Sequence, residues 1–504
     1  MSDSFVHELP LQTDPHIEKE INIRLDMGGM LFNAVLNEAL RRTSLMRQSK
    51  MWLKARLAKE NRPKLFNETA KIYEFSDYSL QKFAIQTKNK CSIGLHLDTH
   101  VCQKIATRAY LAVDKYVKKI RGRPRFKKKG SISSLESKDN KAGIRFKKGR
   151  VHWRGLKIPV VFDEKDPYLV EDHALRSKVK FCRIVRKNIK GKYRYFVQLI
   201  LEGKSLVKEK NIFKSAVVGL DIGPSTIALF SKEKAELTSF CEELQSLSED
   251  IGKIQKQMDR SRKLLNPQNY EADGRLKKGK LTWKKSNHYK KKKNFLAEGF
   301  RKLKEHRKRL HGKLANNICK LGNYIKIEKV SYKGWQKLFG KSIGKRAPSM
   351  FVNILRRKVE NTGGQLEEFS TKTTCLSQVC HKCETKKKKK LLVRWHECCD
   401  FRVQRDLYSA FLSYHVKDNI LDMSQAKLNW PGAQLLLEQA MSSLNQVAIG
   451  KSRLASFGLS QSQSNSLVKD RSDINEIEDV VGKLRASKSL CPCWRYYQKL
   501  CFRS

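Results

Sequence analysis

Apolar positions recur along this chain with two different periods, and the period switches from segment to segment. Phe32, Val35, Leu36, Ala39 and Leu40 follow the i, i+3, i+4, i+7, i+8 stripe of an amphipathic helix. From about residue 143 to 202 the sequence turns to β type. Val179–Arg186 and Tyr193–Ile200 are rich in β-branched and aromatic residues, and Lys187–Lys192 between them reads as a hairpin turn. A buried-type strand follows at Val217–Asp221, then a turn at Gly223-Pro224-Ser225-Thr226 and a returning strand from Ile227 to Phe230. Two long helices are expected from about 242 to 321, with Leu296, Phe300, Leu303, Leu310 and Leu314 on one face of the second. Tyr324–Glu328 is another short apolar run, and Leu407, Ala410, Phe411 and Tyr414 form a helical stripe. These elements predict an α/β chain with an α+β N-terminal region. After about 432 long apolar periods are few and Ser460–Ser466 is rich in Ser and Gln, so a disordered tail is expected.

Composition adds a partner. The chain has 504 residues, with 105 Lys+Arg against 50 Asp+Glu and a net charge of +55. That length allows two or three domains, and that charge is most easily understood if a polyanion neutralises it. A ribosome-associated or chromatin-like protein is the plain alternative. Arg41, Arg42, Arg47, Lys50, Lys54 and Arg56 make either a solvated helix face or one turned to nucleic acid. Arg121, Arg123, Arg125, Phe126 and Lys127 lie in a basic loop broken by Gly122 and Pro124. That loop suits phosphate contacts with Phe126 stacking on a base, unless Phe126 anchors it to the core.

No run of about 18 apolar residues is present to span a bilayer, and Met1–Pro10 lacks a signal pattern, so no membrane partner is expected. Thirteen cysteines without such a signal argue for a reducing compartment. Cys102, Cys182 and Cys319 read as small buried hydrophobes.

The chemistry is carried by acids and thiols. Asp221 and Glu328 end apolar runs and Asp406 opens a helical one. A carboxylate at the end of a buried strand needs a partner. Three such acids converging on an RNase H-like sheet would hold Mg²⁺ or Mn²⁺ for phosphodiester hydrolysis. Cys380-His381-Lys382-Cys383 is a C-x-x-C knuckle, and Trp395-His396-Glu397-Cys398-Cys399 follows it. Adjacent Cys398 and Cys399 demand awkward backbone geometry to share one ion, so Cys380, Cys383, His396 and Cys399 are the expected Zn²⁺ ligands. Cys491-Pro492-Cys493 is an isolated C-x-C pair.

Gly219-Leu220-Asp221-Ile222-Gly223-Pro224-Ser225-Thr226, Ser377–Cys383 and Gln404–Phe411, in that order and with the basic loop at Arg123-Pro124-Arg125-Phe126, resemble the TnpB (OrfB) proteins of bacterial insertion sequences, relatives of compact type V CRISPR effectors. The resemblance spans about residues 20 to 430. It implies a RuvC-type nuclease domain whose three catalytic acids match Asp221, Glu328 and Asp406. It also implies a guide RNA from the transposon end, a double-stranded DNA target, and the cytoplasm of a bacterium or archaeon, next to the nucleoid. The domains implied are a recognition and wedge region at 1–213, the nuclease domain at 214–370 with its helical insertion, a zinc-ribbon insertion at 371–403, the rest of the nuclease domain at 404–432, and the tail at 433–504. The chain departs from the family at the ribbon, where the second knuckle reads His396-Glu397-Cys398-Cys399, an H-x-x-C with an extra thiol inside in place of C-x-x-C, and where Glu384 and Asp400 stand in place of the usual Gly; Gln404 also stands where an acid is usual. The rivals are a guide-independent transposase or resolvase and a catalytically idle RNA-guided binder.

Overall fold

The computed structural model describes residues 3–208, 211, 213–390, 393–448 and 457–458. The chain divides into two compact units, Met1–Lys208 with Trp283–Arg301, and Glu209–Thr282 with Lys302–Ser504.

The first unit opens with β1 (Ser4–Pro10) and the long helix α1 (Pro15–Gln48). Asp14 caps α1 by accepting from the Ile17 N–H at 2.7 Å, and Pro15 at the first position has no N–H to leave orphaned. The predicted stripe is its buried face: Phe32, Val35, Leu36 and Ala39 pack with Ile21, Leu25, Leu31 and Met46. Against it lie α2 (Lys50–Leu57), α3 (Arg62–Ile72), α4 (Asp77–Lys90), α5 (Ile93–His96) and α6 (Thr99–Val117). Then come β2 (Ser134–Glu136), β3 (Arg145–Lys147), β4 (Arg150–Trp153), β5 (Leu156–Pro159), α7 (Val170–Arg176), β6 (Val179–Ile189) and β7 (Lys192–Glu202). Strands run in the orders β1-β7-β6-β2 and β3-β4-β5, all antiparallel. The β6–β7 turn is tighter than the six residues expected. Lys190 and Gly191 alone form it, both at positive φ (52° and 82°), the two-residue geometry that matches strand twist.

The second unit is built on a five-stranded sheet. β8 (Val217–Ile222), β9 (Thr226–Phe230) and β10 (Ala235–Ser239) form an antiparallel meander. Helix α8 (Leu244–Leu265) follows, then helix α9 (Asn287–Leu321), of which the part from Lys302 on belongs to this unit, and β11 (Tyr324–Lys329) then returns parallel to β8. After α10 (Tyr332–Arg346) and α11 (Pro348–Asn361), β12 (Gln365–Ser370) adds parallel to β11, giving the order β10-β9-β8-β11-β12. A short helix α12 (Thr371–Thr374) leads to a small hairpin, β13 (Trp395–Cys398) and β14 (Phe401–Gln404). Helix α13 (Arg405–Tyr414) is buried all round. The paired β15 (Val416–Lys417) and β16 (Ile420–Leu421) and the helix α14 (Met423–Ala448) end the fold.

Two expectations change. The buried face of α9 is Leu303, His311, Ala315, Ile318 and Cys319, whereas Phe300 is 46% exposed, because a histidine and a cysteine stand in for leucines on the packed side. The tail expected from 433 is helical as far as Ala448, and Ala433, Leu437 and Ala440 bury against α13 and its neighbours, so a few apolar positions spaced by three or four, two of them alanines, complete a core that a search for long apolar periods passes over. Ser460–Ser466 and Cys491-Pro492-Cys493 lie outside the described residues. Among the described residues no helix is long and apolar enough to cross a membrane.

Candidate functional site

The acids meet because one face of the sheet carries two ordered rows. Lys326 of β11 pairs with Gly219 of β8, and side chains two residues apart in a strand share a face. Glu328 and Asp221 therefore follow Lys326 and Gly219 on the same face, one row nearer the C-terminal ends of two parallel strands. Helix α13 lies over that face. Its C-terminal end is fixed at the first row, where Lys326 Nζ donates to the carbonyls of Tyr414 (3.2 Å) and Val416, a cation at the negative end of a helix. Its N-terminal end, with Asp406 in the first turn, is thereby held at the second row.

Gln404 sets the helix start. Its Oε1 accepts from the N–H groups of Asp406 (2.7 Å) and Leu407 (2.9 Å), while its buried Nε2 has no hydrogen-bond partner among the described residues. An acid at this position would cap as well; Gln does so without adding a fourth negative charge.

The electrostatics agree with the geometry. Asp221 is raised well above the usual carboxylate range, first by burial and then by the negative charges of Asp406 and Glu328. Burial pushes Glu328 up to about 7. Asp406 is 8% exposed and is flanked by guanidiniums, Arg405 Nε at 3.6 Å and Arg394 Nη1 at 3.7 Å, with the Thr226 hydroxyl at 3.5 Å. Three half-buried or buried hard-oxygen donors that repel one another suit divalent cations. The three acids are not drawn together as tightly as the cysteines described next, whose ligand atoms all lie within 4.8 Å of one another. A pair of metals about 4 Å apart needs carboxylates spread around it rather than converging on one point.

The second cluster corrects the expected ligand set. Cys380, Cys383, Cys398 and Cys399 come together, and His396 does not join them. Sγ separations are 3.9 Å (Cys380–Cys399), 3.5 Å (Cys383–Cys398) and 3.5 Å (Cys398–Cys399). A tetrahedral site with Zn–S of about 2.3 Å has S–S edges of about 3.8 Å, so the four thiols fit zinc. Adjacent cysteines share the site because Cys399 and Asp400 are both left-handed (φ 53° and 62°), forming the two-residue turn between β13 and β14. His396 instead points into an aromatic nest, its ring 4.3 Å from that of Tyr408, where Nδ1 accepts from Lys389 Nζ at 2.6 Å. Burial lowers it to about 4.

In the first unit, the basic loop is exposed but not loose. Asn33 of α1 grips Lys127 through both its N–H (2.7 Å) and its carbonyl (2.8 Å), and Asp26 accepts from the Gly130 N–H at 2.9 Å. Arg186 of β6 donates to the carbonyls of Gly130 (2.7 Å) and Ile132 (3.2 Å). Arg121, Arg123, Arg125 and Lys127 face solvent, and Phe126 is 54% exposed, so it does not anchor the loop to the core.

Sequence patterns missed Gly219, Lys326, Arg394, Arg405 and Cys398 as parts of these sites. For Cys398 the signal was present, a fourth thiol beside the second knuckle.

No family model matches the chain, and no curated protein matches it. Solved structures similar to it include the following two. A Cas12f1–sgRNA–target DNA complex aligns over 82% of this chain and 98% of that one, at 12% identity and a TM-score of 0.38. A CRISPR–Cas12f ternary complex aligns over 80% of this chain and 82% of that one, at 13% identity and a TM-score of 0.27. Both scores are too low for function to be carried across from them.

Proposed function

We propose that this chain is an RNA-guided DNA endonuclease of the TnpB type, encoded by a transposon and cutting with a RuvC-like acidic site. The observation that supports it most is the convergence of Asp221, Glu328 and Asp406 from two parallel strands and one helix onto one face of a mixed sheet. The strand order β10-β9-β8-β11-β12, a meander followed by two parallel strands, supports reading this sheet as RNase H-like. The net charge of +55 supports polyanion partners, a guide RNA and a DNA duplex.

In this reading Asp221, Glu328 and Asp406 hold Mg²⁺ or Mn²⁺. Bound there, the cations supply an activated water and neutralise the leaving oxygen. The residues of the chain do the rest. The Gln404 cap and the Lys326 clamp fix Asp406 against the sheet. Arg394 and Arg405 orient its carboxylate. Burial keeps bulk water from the carboxylates, so their charge acts in a low dielectric. The four cysteines hold Zn²⁺ and brace the hairpin that leads into α13.

The test is purification followed by sequencing of bound RNA and cleavage of matched plasmid in Mg²⁺. A defined RNA with RNA-dependent cutting supports the proposal, and cutting without RNA supports a guide-independent transposase or resolvase. The two guanidiniums beside Asp406 favour a second reading, an idle RNA-guided binder, because they compete with cations for that carboxylate. RNA-dependent binding without cutting in either Mg²⁺ or Mn²⁺ would select it.

A further inference from the structure

Between α1 and the pinned basic loop lies a groove of about 370 Å³, lined by Met27, Gly29, Met30 and Ile132 on its apolar walls and Lys127–Lys129 on its rim. We propose that it seats one unstacked nucleobase of a single-stranded segment, with the flanking phosphates on the loop lysines and Phe126 stacking alongside. The proposal rests on the reading of this chain as a nucleic-acid-binding protein and adds to it a site and a ligand class.

Four observations carry it. The loop backbone is fixed by Asn33, Asp26 and Arg186, so the groove wall is in place before any ligand arrives. Its cations lack acidic partners: among the described residues Arg121, Arg123, Arg125 and Lys127–Lys129 pair with no carboxylate, and Lys127 Nζ lies over the Phe32 ring at 5.6 Å from its centroid. Large apolar groups stand in water beside them, Phe126 at 54% and Met30 at 57% exposure. That combination of an apolar slot, an exposed ring and a basic rim matches a base with its phosphates, whereas a purely apolar or acidic ligand would leave half of it unmatched. Finally, Asp26 sits in the lining, where a carboxylate would repel a phosphate but would accept from a base's exocyclic amine or ring N–H.

Gly29 offers a clean test. A β-carbon there meets only Ile132 Cγ1, at 3.8 Å, so Gly29→Leu fills the groove without a clash at its root. The change replaces a poor helix former with a good one, so α1 is expected to fold. Protein stripped of nucleic acid in high salt would be titrated with two fluorescent single-stranded oligonucleotides, one with bases and one abasic throughout. Wild type is expected to prefer the base-containing strand by about tenfold through one stacked base. Gly29→Leu should abolish that preference with the salt dependence unchanged, and Phe126→Ala should reduce it. Lys127→Ala with Lys128→Ala and Lys129→Ala should instead weaken both strands and flatten the salt dependence. If Gly29→Leu and Phe126→Ala keep the wild-type preference, the groove is not a base site, although the nuclease reading stands. If wild type binds neither strand, the nucleic-acid reading falls, and this proposal with it.

Discussion

A β-carbon on Gly219 would stand 2.2 Å from the carbonyl oxygen of Ala410 and 2.5 Å from the Tyr414 amide nitrogen. Helix α13 therefore touches the central strand backbone to backbone, and only glycine permits it. Gly219→Ala should push α13 off the sheet, costing about 3 kcal/mol or more by overpacking, and should carry Asp406 out of register. Thermal denaturation would show the loss, and plasmid cleavage should fail even where the variant remains folded.

Asp221→Asn should separate stability from activity. It removes one of three mutually repelling carboxylates, so the variant should melt a few degrees higher, a gain of about 1 kcal/mol. Cutting in Mg²⁺ should fall by about a thousandfold or more. In the wild type, Glu328, at about 7, must lose its proton before it holds a cation, so at fixed Mg²⁺ cutting should weaken as pH drops through 7. Unchanged cleavage by the variant would overturn the assignment of the site.

Cys398 and His396 make opposite predictions. Cys398→Ser should release bound zinc or weaken its retention against a chelator by more than about tenfold, while His396→Phe should keep one zinc per chain. Metal analysis of the purified variants decides between the ligand set seen here and the one with His396.

Glu384 and Asp400 occupy left-handed backbone, at φ 59° and 62°. Left-handed backbone is where glycine is least strained, and this chain carries two acidic side chains there instead. Glu384→Gly and Asp400→Gly should each stabilise the cysteine hairpin by about 1 kcal/mol, read as a higher chelator concentration at the midpoint of zinc loss. Glu384→Gly also removes the ion pair to Lys427 (2.6 Å), an exposed contact of smaller worth.

His311 sets an acid limit. It is fully buried, its Nε2 donates to the Arg346 carbonyl at 2.9 Å, and burial lowers it to about 4. The folded chain keeps it neutral while the unfolded chain protonates it near 6.5, so its contribution is neutral above 6.5 and stability falls as pH drops from 6.5 to 4. The loss is at most about 3 kcal/mol. His311→Phe should cost about 1 kcal/mol at neutral pH through the missing hydrogen bond and should flatten that acid-side slope in denaturant melts.

Features that depend on near neighbours could be read from residue order alone. The stripe of α1, the β6–β7 hairpin, the two runs ending in Asp221 and Glu328 and the helix opening at Asp406 are local patterns, set by which side chains must leave water and with what period. The buried Cys102, Cys182 and Cys319 were legible for the same reason. Register and backbone handedness between distant segments were set by the three-dimensional fold. The Lys326–Gly219 pairing places Asp221 and Glu328 in one row, and no local period encodes which residue of β11 lies beside which residue of β8. The thiol set turned on two consecutive left-handed residues, which carried Cys398 and Cys399 to the other thiols and left His396 among the aromatics. Spacing along the chain names the candidates for a site; the angles of one turn chose among them.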